Sequence, residues 1–168
     1  AKEKGVDVGA LIGELSRVIE QRQGAHPADL RELSTPQLVA HIVSKHHEYL
    51  RRMLPFARGM AAKVSRVHGD HNPKLRDLLA AVEELADSLG PHLDEEEQTL
   101  FPALVATQPD AAAVTKLLQS MHEEHLAVAQ LLERIRAASD DFTLPDWACN
   151  SYRTLFSELE QLEGDVFT

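Results

Sequence analysis

Four stretches of this chain carry residues at alternating steps of four and three, the spacing that holds one face of an α-helix against a shared core. The first stretch reads Val43, His47, Leu50, Leu54, Ala57, Ala61, Val64, His68; the second reads Leu78, Val82, Leu85, Leu89, His92, Glu96, Thr99, Ala103. The third is Val114, Leu118, Met121, His125, Val128, Leu132, Ile135, and the fourth Ala148, Tyr152, Leu155, Leu159, Leu162, Val166. Turn formers separate them at Gly69-Asp70-His71-Asn72-Pro73, at Thr107-Gln108-Pro109-Asp110 and from Ser139 to Pro145. Ser34-Thr35-Pro36 supplies capping residues and a proline for the first helical turn. Pro55, Gly59, Pro91 and Pro102 fall inside the long segments, where they are expected to bend a helix without ending it. The expected fold is all-α, an up-down-up-down four-helix bundle over residues 34–168. Residues 1–33 are expected to be a separate extension, with a short amphipathic helix over 8–21 and a linker at Gly24, Pro27 and Asp29.

Charge narrows the partners. Acids outnumber bases 27 to 17, a net −10, and such a surface repels phosphate backbones and anionic lipid. Nucleic-acid and membrane-surface binding are therefore not expected. No apolar run approaches the ~18 residues of a membrane span, and Gly13, Glu14 and Arg17 interrupt the apolar N-terminal patch that a signal peptide would need. The single cysteine, Cys149, has no partner for an internal disulfide. These features point to a cytoplasmic protein, and a start at Ala1 rather than Met reads as a processed or trimmed chain.

Ionisable residues interrupt the apolar seams: His47, His68, His92, Glu96 and His125. A lone imidazole on an apolar face is usually a satisfied core residue, and burying it unpaired costs about 1–3 kcal/mol. The heights of these residues argue for more. In an antiparallel pair, two residues share a level when they are equidistant from the turn between them. His47 and His92 have their midpoint inside the Gly69–Pro73 turn, and His92 and His125 have theirs inside the Thr107–Asp110 turn. Three histidines from three successive helices therefore meet in one layer. Glu96 stands one turn along from His92 on the same face. The reading is a metal site of His47, His92, Glu96 and His125; the competing account is an unusual polar core layer.

His68 falls at a turn, far from His47, and reads as structural or surface. His26, His41, His46 and His71 are expected to be solvated, while His122 is a candidate spare ligand one turn before His125. In the acidic run Asp94-Glu95-Glu96-Glu97 only Glu96 has the core phase, so the rest reads as a solvated face. Met53, Met60 and Met121 read as core filler, and Cys149 as a small half-buried residue near the start of the last helix. Imidazole and carboxylate without thiolate suit iron, manganese or zinc. Two ions about 3.5–4 Å apart need bridging carboxylates and further ligands. The fourth seam offers none before Thr168; its next positions would be 169 and 173, with the spacing of His92 and Glu96. The last helix is thus read as incomplete.

These residues resemble the hemerythrin-like family, and within it the Repair of Iron Centers di-iron proteins. The resemblance rests on Leu38 to His47, Lys63 to His68, the stretch His92-Leu93-Asp94-Glu95-Glu96-Glu97-Gln98-Thr99-Leu100-Phe101-Pro102, and Met121 to His125. It covers residues 34–168 and implies His47, His92 and His125 as iron ligands with Glu96 as the bridge. It also places Glu124 near the route to the metals. Two family features do not match here: a His and a bridging Glu in an HxxxE pattern on the last helix, and a small N-terminal domain with a cysteine pair. The resemblance implies a non-haem di-iron protein, cytoplasmic, that repairs iron–sulfur clusters damaged by nitric oxide or oxidants, through iron donation or NO handling. Its partners would be damaged iron–sulfur proteins, with NO or O2 as small ligands, and its role that of a donor rather than an enzyme. Two other classes compete: a hemerythrin-type O2 or NO binding or sensing module, and a metal-free bundle that associates as a homodimer through core left uncovered by the fourth helix.

Overall fold

The computed structural model describes residues 30–166. The expected helix over 8–21, its linker and His26 lie outside the described residues. The chain divides after Ser34 into two units. Of the first, the described part is a single 3-10 turn at Leu30–Glu32 followed by Leu33 and Ser34.

The second unit is all-α. Helix α1 covers residues 35–68 in three joined pieces, an α-helical start at Thr35–Ile42, a π-helical turn at Val43–His47 and an α-helix at Glu48–His68. Helix α2 covers 74–105 in the same manner: α-helix Lys74–Glu95, π turn Glu96–Leu100 and α-helix Phe101–Val105. Helices α3 (Ala111–Ala138) and α4 (Asn150–Val166) complete the bundle. The alternating directions show in the cross-helix pairs. Arg58 meets Asp87 between α1 and α2, Arg134 meets Glu84 between α3 and α2, and His46 meets Asp165 between α1 and α4. Pro55 and Pro91 both lie within continuous helix.

The helix ends follow from local chemistry. Asp110 caps α3, its carboxylate accepting from the backbone N–H groups of Ala112 and Ala113 at 3.0 and 3.2 Å. Gly69 ends α1 with its N–H on the Ser65 carbonyl at 2.7 Å. A Cβ at Gly69 would lie 2.4 Å from that oxygen, so the turn requires glycine. After α3 the chain turns through three consecutive left-handed residues, Asp140, Asp141 and Phe142, each unfavourable for a side-chain-bearing residue by roughly 1–2 kcal/mol. The Ser139 hydroxyl accepts from the Phe142 N–H and donates to the Arg136 carbonyl, while Phe142 buries itself against Phe156. Arg136 reaches the buried Glu163 of α4 and tethers this corner to the bundle.

The apolar interior forms two clusters. The larger contains Leu50, Leu54, Ala57, Ala61, Val64, the α2 row from Leu75 to Leu93, Val128, Leu132 and Ile135 from α3, and Tyr152, Leu155, Leu159 and Leu162 from α4. The smaller holds Leu100, Phe101 and Met121, backed by Val39, Ile42, Val43, Leu104 and Leu117. In sequence, His47, Glu96 and His125 fall between the two sets on their respective helices, and His92 lies at the edge of the larger one, just before Leu93. The seams hold as expected through the larger cluster and slip in the smaller one. Thr99 is exposed, while Leu100 and Phe101 are buried, because the π turn inserts an extra residue and shifts the phase. Leu118 is also exposed, and Leu117, four residues before Met121, packs in its place. Cys149, expected to be half-buried, is exposed because the preceding Ala148 takes the core position. Met53 and Met60 pack against the core as expected. Among the described residues no helix is long and apolar enough to cross a membrane.

Candidate metal centre

All four residues expected at the common level are brought together. His47 ends the π turn of α1, His92 and Glu96 lie on α2 with Glu96 opening its π turn, and His125 comes from α3. In both π turns the hydrogen bond spans five residues: the Glu48 N–H reaches the Val43 carbonyl, and the Phe101 N–H reaches the Glu96 carbonyl. Pro102, next in line, has no N–H to offer a regular turn. Such turns concentrate at functional sites because they re-aim a side chain without breaking a helix. No sequence period marks them.

Three of the four are buried: His47 is 3% exposed, His92 4% and Glu96 9%. His125 differs from the expectation of an inward group. Its side chain is 58% exposed, so it forms the rim of the site. His92 Nε2 and His125 Nε2 are 3.0 Å apart, and Glu96 Oε1 lies 3.6 Å from the first and 3.8 Å from the second. The other oxygen, Glu96 Oε2, is 3.1 Å from His47 Nε2. One carboxylate thus faces a histidine pair with one oxygen and a single histidine with the other. No residue of α4 joins this cluster among the described residues.

Outward of these groups stand two carboxylates. His92 Nδ1–H donates to Glu124 Oε2 at 2.8 Å, which fixes the ring and leaves the Nε2 lone pair turned into the cluster. His47 Nδ1–H donates to Glu97 Oε1 at 2.9 Å. Glu97 also accepts from Arg51 at 3.0 Å, and Arg51 reaches Asp94 at 2.7 Å. The expectation of a solvated face at Asp94–Glu97 therefore holds for Asp94 and Glu95 but not for Glu97, which is half-buried against His47. Phe101 stacks on the His47 ring at 5.5 Å between centroids and fixes it from the apolar side. His122 is exposed and outside the cluster. His46 is half-buried and bonded to Asp165 at 3.3 Å rather than solvated, with His41 edge-on to it. His68 sits at the turn, with Nε2 3.2 Å from Cys149 Sγ, and His71 packs on Trp147.

The protons follow from these contacts. Burial disfavours a charged His47, but Glu96 and Glu97, one on each ring nitrogen, outweigh it and hold its pKa above the ordinary 6.5. Burial, with the His92 ring beside it, holds His125 below that value. Hydrogen bonding from His47 and then from Arg51 keeps Glu97 below the usual carboxylate range. In the metal-free protein the two carboxylates, one on each ring nitrogen, thus favour the charged form of His47. Its contribution to folding is full below 6.5 and is lost as pH rises through its raised value.

The donor set fits a cation. Two nitrogens bound at about 2.1 Å with angles near 90–109° stand roughly 3.0–3.4 Å apart, and the His92–His125 separation of 3.0 Å falls at that edge. The set is nitrogen and oxygen without sulfur, suited to iron, manganese or zinc. A cation at His47 would have to displace its Nε2 proton. Cation affinity at that position is therefore expected to fall close to tenfold per pH unit as pH drops below the His47 pKa, measured by calorimetric titration at several pH values.

Two comparisons bear on this arrangement. The Hemerythrin HHE cation binding domain matches residues 38–167. The chain is 31% identical over 166 residues to the iron-sulfur cluster repair protein YtfE of Yersinia pseudotuberculosis serotype O:1b (strain IP 31758), covering 99% of this chain and 73% of that protein. It is 30% identical over 169 residues to the iron-sulfur cluster repair protein ScdA of Staphylococcus haemolyticus (strain JCSC1435), covering 98% of this chain and 74% of that one.

Proposed function

The chain belongs to the hemerythrin HHE cation-binding family, and from that premise we propose that it carries a non-haem iron centre used to repair iron–sulfur clusters damaged by nitric oxide or oxidants. The observation that carries the reading is the two-sided Glu96: Oε1 faces His92 and His125 while Oε2 faces His47, one carboxylate addressing two cation positions. His92, His125 and Glu96 Oε1 would hold one iron; His47 and Glu96 Oε2 would hold the other. Iron so bound supplies a redox-active ion that can bind NO and can leave. A set of monodentate imidazoles and a carboxylate releases it far more readily than a macrocycle does.

The chain's own residues prepare both positions. Glu124 and Glu97 orient the rings, Phe101 and the smaller apolar cluster close one side, and the exposed His125 gives a small ligand or an accepting protein access from the rim. The names of the YtfE and ScdA relatives support repair over reversible O2 binding. Damaged iron–sulfur proteins in the cytoplasm are the partners this reading assigns.

The test is to mix the iron-loaded protein with an NO-damaged cluster enzyme. Recovery of enzyme activity well beyond that given by the same amount of free iron is expected. Recovery equal to free iron rejects the repair role.

A further inference from the structure

The two cation positions differ in the groups behind them. Behind His92 stands Glu124, which accepts from His92 and is paired with no basic side chain among the described residues. Behind His47 stands Glu97, whose same oxygen, Oε1, accepts from both His47 and Arg51. Arg51 is held over Glu97 by a second contact to Asp94. A carboxylate on the far nitrogen of an imidazole raises the ring's basicity and its hold on a metal. A guanidinium on that carboxylate draws its charge away and undoes part of the effect. Arg51 also adds positive charge on the His47 side, where among the described residues one histidine serves against two on the other.

Resting on the metal-centre reading above, we propose that Arg51 is a positioning residue that acts through Glu97 to make the His47 position the weaker of the two, the one from which iron is handed over. Glu97 and Arg51 then work in opposite senses. Glu97 strengthens the His47 position and Arg51 weakens it, with Asp94 keeping Arg51 in place. The His92–His125 position, where Glu124 meets no basic side chain among the described residues, retains its ion.

The experiment loads the full chain with Fe(II) without oxygen and follows transfer to a colorimetric iron chelator in excess. Wild type is expected to release iron in two phases. Arg51→Met keeps the aliphatic stem and removes the charge; it is expected to slow the fast phase about two- to fivefold, the scale of a partly exposed charge pair. Arg51→Lys restores the wild-type rate. Glu97→Ala is expected to speed the fast phase about tenfold. In a His47→Ala background the fast phase disappears and Arg51→Met has no further effect. Both Arg51 and Glu97 are partly exposed, so each variant is expected to fold, with circular dichroism as the check. A merely structural contact predicts that Arg51→Met and Glu97→Ala both speed release, and that result overturns the inference, as does an unchanged rate in Arg51→Met. A wild-type chain that retains no iron overturns the metal-centre reading itself.

Discussion

Glu96→Ala is expected to lower iron affinity at both positions by on the order of a hundredfold or more, exceeding the ten- to hundredfold typical of losing a supporting carboxylate. The reason is that one side chain provides both oxygens, Oε1 toward His92 and His125 and Oε2 toward His47. Removing a ligand that served a single ion would spare the other. Equilibrium dialysis against Fe(II) distinguishes the cases: near-complete loss of both ions fits the bridge, and retention of one ion does not. Glu96→Gln serves as the companion, since it keeps the shape of the side chain and one carbonyl oxygen but loses the charge. It is expected to bind more weakly than wild type and better than Glu96→Ala.

Leu155→Ala is expected to act on stability and leave the centre alone. Leu155 is 0% exposed and belongs to the larger cluster, which draws residues from all four helices. Truncation of such a leucine costs about 3–5 kcal/mol, which corresponds to roughly 6–20 °C in melting temperature for a domain of this size. The site residues meet none of this loss directly, because Leu155 belongs with Val64 and Tyr152 rather than with Leu100, Phe101 and Met121. Iron bound per folded chain, measured well below the melting point, should match wild type. A large fall in iron content with only a small change in melting temperature would contradict the division of the core into two clusters.

The fold and the central layer were legible because helical seams and antiparallel turns obey simple arithmetic. His47, His92 and His125 come from helices joined by short turns, and equal distances from those turns brought them to one level. The arithmetic fails where the helix itself departs from regular winding. The π turns at Val43–His47 and Glu96–Leu100 add a residue per turn, so Thr99 moves out and Leu100 and Phe101 move in. Periodicity cannot register such a turn before its hydrogen bonds are seen. Glu97 was illegible for a related reason: its phase points away from the core, yet its length lets it fold back onto His47. Pro102 was the one available signal that the end of α2 is irregular. The exposure of His125 was missed because the bundle arithmetic fixes level and not depth.

Whether His47, His92 and His125 with Glu96 converge on bound iron is decided by X-ray absorption at the iron edge of the loaded protein. The predicted spectrum has nitrogen and oxygen neighbours at about 2.0–2.2 Å and the outer-shell scattering of several imidazole rings. A shell of oxygen alone, without imidazole scattering, would contradict that convergence.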